Sequence, residues 1–167
     1  MKAQNRTIKI VLLALTASLI LLTTMLYIPM PIGIGYYHLG DGFIFAAASL
    51  LGPYAGLSAA IGSILADLLS GYAFYAPATA IIKGCMGLVS GLLLRKKRKF
   101  ITILLVLLLC EAMMVGGYFI YESFLYGIAG AVPSLIPNAL QGLAGIVLGA
   151  IMVPLTRKIP LSNKYLK

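Results

Sequence analysis

The chain has 167 residues, 61% of them hydrophobic and only 10% charged, with 13 Lys and Arg against 4 Asp and Glu. A soluble domain carries about 25% charged residues, so this composition excludes one and describes a multi-pass membrane protein. The formal charge of +9 lies in short caps beside apolar runs, which reads as membrane topology and excludes a nucleic-acid face.

The first apolar run covers residues 8–28 and follows Lys2, Arg6 and Lys9. It is longer than the h-region of a signal peptide and no A-x-A site follows, so an uncleaved helix is expected. Pro29, Pro31, Gly33 and Gly35 then break the helix into a loop that ends in Tyr36-Tyr37-His38-Leu39-Gly40-Asp41. Residues 41–52 form a short apolar stretch rich in small side chains, closed by Gly52-Pro53. At 1.5 Å per residue it covers roughly half to two-thirds of a ~30 Å hydrocarbon core, so neighbouring helices must shield it. Further runs cover 53–70, 76–94 (ending at Arg95-Lys96-Lys97-Arg98-Lys99), 100–121 and 132–156, the last before Arg157 and Lys158. The expected fold is therefore an all-α integral membrane protein, one compact domain of six transmembrane helices spanning residues 1–167.

Placing all three basic segments on the cytoplasmic side requires an even number of spans between them, and four then two satisfies this. Both termini are then cytoplasmic, and segments 29–40, 70–76 and 122–131 are outer loops. Tyr36, Tyr37, Tyr72, Tyr75, Tyr118, Tyr121 and Tyr126 fall at or near that outer face, with Phe74, Phe119 and Phe124. A symmetrical interfacial belt would populate both sides, so the surplus points to a role beyond anchoring. Cys85 and Cys110 lie inside apolar runs and read as small buried residues.

Ionisable groups within apolar runs are costly, roughly 2.5–3.5 kcal/mol on insertion scales. The chain nonetheless carries Asp67, Lys83 and Glu111 there, with Asp41 and Glu122 at the margins. Counting the helical rise from each outer end puts Lys83 about 10 Å deep, Glu111 about 15 Å, Asn138 about 9 Å and Gln141 about 13 Å. Four polar groups from three helices thus share one level. Glu111, Tyr118 and Glu122 line one face of the fifth helix, and Asn138 and Gln141 one face of the sixth. A Lys ammonium facing a carboxylate, two amides and Tyr rings would make a pocket open to the outside, suited to a small, flat, polar heterocycle.

Each residue also has a plainer reading. Lys83 and Glu111 also read as a buried ion pair that only locks helices, and Asn138 and Gln141 as interhelical hydrogen bonds. Asp41, following Gly40, reads first as a helix N-cap. His38 is either a solvated loop residue or a ligand contact. A lone His beside scattered carboxylates gives no metal site, and no cofactor is expected. The sequence holds no phosphate-binding G-x-x-x-x-G-K-[ST] loop and no grouping for hydrolytic chemistry, so binding rather than catalysis is expected. Small residues recur four apart at Ala14/Ser18, Gly56/Ala60 and Ala59/Ser63, which allows close helix approach or, on the first helix, a docking face.

Taken in order, Tyr37-His38-Leu39-Gly40-Asp41, Gly52-Pro53-Tyr54-Ala55-Gly56 running to Asp67, Pro77-Ala78-Thr79-Ala80-Ile81-Ile82-Lys83-Gly84, Gly117-Tyr118 with Glu122, and Pro137-Asn138 with Gln141 form a pattern. It resembles the substrate-binding S components of energy-coupling factor (ECF) vitamin transporters, over about residues 14–150. The resemblance implies a six-helix bundle that binds a vitamin or precursor in an outward-facing pocket. Lys83, Glu111, Asn138, Gln141, Tyr118, Tyr37, His38 and Asp67 are the expected substrate contacts. It implies docking of the first helix, through Ala14-x-x-x-Ser18 in place of Ala-x-x-x-Ala, onto a transmembrane coupling subunit driven by two ATPases. It also implies a place in the bacterial cytoplasmic membrane and a ligand such as pyridoxine, hydroxymethylpyrimidine or a riboflavin-like compound. A stand-alone proton-coupled carrier using Glu111 or Asp67 and a non-transport assembly protein are the alternatives.

Overall fold

A computed structural model of the chain describes residues 2–29, 36–95 and 99–159, the side chains of 2–5, 28, 29, 36 and 37 excepted. Helix α1 (Lys2–Met25) leads into a two-stranded antiparallel hairpin, β1 (Tyr27–Pro29) and β2 (Tyr36–His38), in which Tyr27 pairs with His38. Next come α2 (Gly40–Leu51), a 3₁₀ turn over Gly52–Tyr54, and α3 (Ala55–Leu69). Then follow α4 (Ala76–Leu94), α5 (Phe100–Ala131), a 3₁₀ turn over Val132–Ser134, and α6 (Leu135–Thr156). Four segments are long and apolar enough to cross a membrane: Arg6–Met25, Gly40–Leu69, Ala76–Leu94 and Phe100–Thr156. The second and fourth each contain two helices joined by a 3₁₀ turn, and the whole is a helical membrane protein.

Two expectations from the sequence are corrected here. Residues 29–40 are not wholly loop, because the chain folds back into the hairpin and its second strand delivers His38 to the start of α2. The fifth helix does not stop at Tyr121 but continues to Ala131, with one break at Gly127, whose φ of 74° and ψ of 165° interrupt the helical path. A positive φ is cheap only for glycine, so Gly127 fixes where α5 bends.

Helix α2 is the inner element, with 9 of its 12 residues buried. Phe45, Ala48 and Leu51 on it meet Met86, Leu107, Met114 and Val153 in the main apolar core. Its shortness follows from this position: wrapped by other helices, it need not span the hydrocarbon itself. Helices α3 and α4 approach almost backbone to backbone. A Cβ on Gly56 would stand 2.8 Å from the Gly84 carbonyl oxygen, and one on Gly87 2.7 Å from that of Ala55. On the other side of α3, Ser58 donates to the Leu13 carbonyl of α1 at 3.1 Å.

The alternating helices leave the two ends of the bundle chemically different. At one end Lys9 lies 3.7 Å over the Tyr54 ring, and Arg157 donates to the Leu94 carbonyl at 3.2 Å. The other end gathers the C-terminal parts of α1, α3 and α5 with the N-terminal parts of α2, α4 and α6. The polar residues collect there.

Candidate functional site

At the centre of that end lies Asp41, fully buried. Lys83 Nζ sits 2.5 Å from its Oδ1, and Gln141 Nε2 donates to its Oδ2 at 2.7 Å. One carboxylate thus ties α2 to both α4 and α6. A buried ammonium needs such a partner, since an unpaired charge in a low-dielectric interior is strongly penalised. This corrects the pairing expected from the sequence, in which Lys83 faces Glu111. It also corrects the N-cap reading of Asp41, which makes no capping hydrogen bond. The reason is the level at which α2 begins. Asp41 is the second residue of α2, yet it meets the eighth residue of α4 and the seventh of α6. The start of α2 therefore lies roughly two turns, about 10 Å, below the ends of its neighbours.

The hairpin makes this descent possible and carries His38 with it. His38 is buried, and its Nδ1 accepts the Gly40 N–H at 3.1 Å. Its ring proton is thereby placed on Nε2. Burial pushes its pKa down to about 4, Asp41 opposing and Lys83 assisting, so the ring is neutral at physiological pH.

Next to the Lys83–Asp41–Gln141 group opens a cavity of about 370 Å³, lined from every α-helix except α2 and by His38 just before it. Lys83, Gln141, Asn138, Tyr118, Asp67 and His38 all reach its wall. Lys83 Nζ is 5.7 Å from the Tyr118 ring centroid, and the Tyr118 hydroxyl is 3.0 Å from that of Thr79. Higher on the wall, Tyr75 makes edge contacts with Tyr72 and Tyr121, at centroid separations of 6.5 and 5.6 Å. The Tyr75 hydroxyl donates to Glu122 Oε1 at 3.3 Å, and Ser134 donates to Glu122 Oε2. Burial pushes the Tyr75 phenol upward, so it remains a protonated donor.

Glu111 is not on that wall. Its carboxyl is buried with neither oxygen hydrogen-bonded, against α6 where Gly142 and Gly145 leave room. A Cβ on Gly145 would collide with Glu111 Oε1 and come within 3.0 Å of Asp41 Cβ, so both acids share the notch that this glycine opens. Glu111, an expected ligand contact, is placed behind the wall rather than on it. Tyr37 lies in β2, but its side chain falls outside the described ones. Ala14 and Ser18 lie on an exposed face of α1 away from the cavity, with the Ser18 hydroxyl bonded to the Ala14 carbonyl at 3.0 Å.

Sequence reasoning missed Asp41, Thr79, Tyr75 and Ser134 as members of the site. A usable signal existed for Asp41. A helix of 12 residues in a bundle of longer ones must start or end within the membrane, so its first-turn acid lies level with Lys83. Tyr75 and Ser134 depend on loop paths, which no periodicity reveals. Among the described residues, no group of three or more His, Cys, Asp or Glu could hold a metal ion.

This geometry is a cavity with polar side chains on its wall in a helical membrane protein, and comparison with known proteins agrees. Residues 4–158 match the family model described as ECF-type riboflavin transporter, S component. The chain belongs to that family. It is 33% identical over 162 residues to the thiamine precursor transporter HmpT of Lactococcus lactis subsp. cremoris (strain MG1363), covering 95% of this chain and 93% of that one. It is 38% identical over 129 residues to an uncharacterized protein in a gap 3′ region of Pyrococcus woesei, covering 76% of this chain and 86% of that one. As an ECF S component it is a multi-pass membrane protein of vitamin uptake, a substrate-binding transport protein rather than an enzyme. Membership implies a vitamin-like substrate and an ECF module of membrane and ATPase subunits.

Proposed function

We propose that this S component captures a single-ring nitrogen heterocycle, of the hydroxymethylpyrimidine or pyridoxine kind, for ATP-driven uptake. What carries the reading is the cavity of about 370 Å³ beside the Lys83–Asp41–Gln141 group. Its volume is near the lower end of the roughly 300–1,000 Å³ of small-molecule sites, which favours one ring over a fused tricycle. Tyr118 offers a ring face, while Lys83, Asn138 and Gln141 supply polar groups to the ring edges. The name of the Lactococcus relative, a thiamine precursor transporter, agrees with a ligand of this size.

In this reading the chain is one membrane domain crossing six times, with its basic segments facing the cytoplasm of a bacterial cell. The cavity end, opposite those segments, faces outward. Ala14 and Ser18 present a small-residue strip on α1 to a transmembrane coupling subunit, and two ATPases drive release. Glu111, buried behind the wall, is not among the ligand contacts in this reading.

Calorimetric titration of the purified protein with 4-amino-5-hydroxymethyl-2-methylpyrimidine, pyridoxine and riboflavin tests the proposal. Tight binding of one of the two single-ring compounds is expected. Exclusive binding of riboflavin, or of none, would overturn it.

A further inference from the structure

The charges of the chain are sorted along the bundle. All four acids, Asp41, Asp67, Glu111 and Glu122, lie in the cavity half. Of the 13 Lys and Arg only Lys83 is with them, and the rest belong to segments 2–9, 95–99 and 157–167. The end opposite the cavity therefore gathers basic side chains with no Asp or Glu among them.

The described members of this group form one collar rather than scattered tips. Lys9 of α1 lies over the Tyr54 ring. The turn that carries Tyr54 begins at Gly52, where a Cβ would stand 4.0 Å from Arg95 Cδ. Arg157 reaches back from the end of α6 to the Leu94 carbonyl, beside Arg95. Lys99 precedes α5, and Lys158 follows Arg157. Arg6, Arg95, Lys99 and Lys158 are all exposed.

Helix dipoles account for part of this arrangement. Arg95 and Arg157 cap the C-termini of α4 and α6, where a cation is favoured. Lys99 stands against the local field, because it caps the N-terminus of α5, where an anion is favoured. Negative charge from outside the chain would satisfy both kinds of position. Its depth follows from the helices. The 19 residues of α4 rise about 28 Å, close to a ~30 Å hydrocarbon core, so Arg95 stands at the level of lipid headgroups. Exposed apolar residues adjoin each cation within three positions: Ile10 after Lys9, Leu92 before Arg95, Phe100 after Lys99 and Leu155 before Lys158. A lipid supplies both needs at once, acyl chains for these residues and a phosphate for the cation above them. An acidic protein would leave the apolar neighbours uncovered.

We propose that this basic collar binds anionic phospholipid headgroups, with Arg95, Lys99 and Lys158 meeting the phosphates at the edge of the hydrocarbon. A zwitterionic headgroup brings its own ammonium to the same place, so the net-anionic lipid is preferred. The collar lies at the far end from the cavity and acts whatever the cavity holds.

The experiment mixes the detergent-solubilised full chain with equal amounts of phosphatidylglycerol and phosphatidylcholine, re-isolates it by size exclusion and quantifies the retained lipids. Wild type should retain phosphatidylglycerol over phosphatidylcholine by about fivefold or more, the value of roughly one basic residue at a membrane surface. The preference should shrink as salt is raised. In Arg95→Gln/Lys99→Gln/Lys158→Gln it should fall to about twofold or less, with the melting temperature little changed. Equal retention of the two lipids by wild type overturns the proposal without any variant, so the test stands even if the triple variant does not fold. An undiminished preference in a folded triple variant overturns the assignment to these residues. Displacement of phosphatidylglycerol by excess inorganic phosphate would make this a free-anion site and overturn the lipid. Equal retention combined with loss of a co-purifying coupling subunit in the triple variant would make the collar a protein interface instead.

Discussion

The α3–α4 seam and the α5–α6 corner face each other across the cavity and are held by different means. Along the seam, backbone meets backbone: Gly56 against Gly84, Gly87 against Ala55, and Gly91 against Gly52 and Pro53. At the corner α5 breaks at Gly127, and hydrogen bonds from Tyr75 and Ser134 to Glu122 close the rim. Close packing of backbone is a matter of shape and has one solution, whereas a few hydrogen bonds can be exchanged with water. Asp67, Thr79 and Lys83, whose mutual geometry defines the polar wall, sit on the seam. The rim residues through which a ligand must pass sit at the corner.

Enlarging the seam should therefore do the most damage. A Cβ on Gly91 would collide with the Gly52 carbonyl oxygen and stand 2.8 Å from Pro53 N, and neither is a side chain that can turn away. Gly91→Leu is expected to cost about 3 kcal/mol or more and to leave little folded protein after detergent extraction. Gly116, with nothing within 4 Å of its would-be Cβ, provides the contrast. Gly116→Ala should extract normally and elute unchanged on size exclusion.

Next in size is the charge pair that the seam presents to α2. Asp41→Asn leaves the Lys83 ammonium, 2% exposed, without its counter-ion. Breaking a buried pair from one side costs about 3–5 kcal/mol, while replacing both partners is far milder. Thermal unfolding in detergent should show a large drop for Asp41→Asn, and recovery of most of it in Asp41→Asn/Lys83→Met. A double variant no more stable than the single would show that the pair is not what holds α2.

The same pair marks the limit of what could be read from the sequence. Composition and the spacing of basic segments identify a helical membrane protein, and the order of short motifs identifies its family, because both depend on residue type alone. The level of Lys83, Asn138 and Gln141 was also legible, since these sit on continuous helices counted from their ends. The partner of Lys83 was not. Asp41 looked marginal because the hairpin that lowers α2 into the bundle is a tertiary feature, formed by pairing Tyr27 with His38, eleven positions further along the chain. Glu111 has the right depth but the wrong direction, and its direction is set by the notch at Gly142 and Gly145 on another helix.

His38 gives a smaller effect that belongs to the same descending hairpin. Its pKa in the folded protein is about 4, against an ordinary 6.5. The unfolded chain thus binds the proton first as pH falls, so stability is unaffected above about 6.5 and declines from there toward 4. At pH 5.5 the loss is about 1.4 kcal/mol, one pH unit on the sloping limb. Protonation also removes the Nδ1 acceptor of the Gly40 N–H. Melting temperature followed from pH 7.5 to 5 should fall in wild type more than in His38→Asn, whose amide oxygen replaces the acceptor without titrating. Parallel curves would show that His38 is not the group responsible.

The corner should give the mildest and most selective change. Glu122 accepts from Tyr75 on one side and from Ser134 on the other, so it joins the segment before α4 to the turn before α6. Glu122→Gln keeps one oxygen acceptor and turns the other position into a donor, which loses one of the two bonds. The seam is untouched, so the melting temperature of the ligand-free protein should hardly move. A rim held by one bond instead of two opens more often, and affinity differences within one site arise mostly in dissociation. Stopped-flow displacement should then show ligand leaving about three- to tenfold faster, the value of roughly one hydrogen bond, with association unchanged. Ser134→Ala should act in the same direction, and the double variant should add little, because both remove the same tie. If Glu122→Gln lowered stability instead and left dissociation alone, the corner would be a structural joint like the seam, and the contrast between them would not hold.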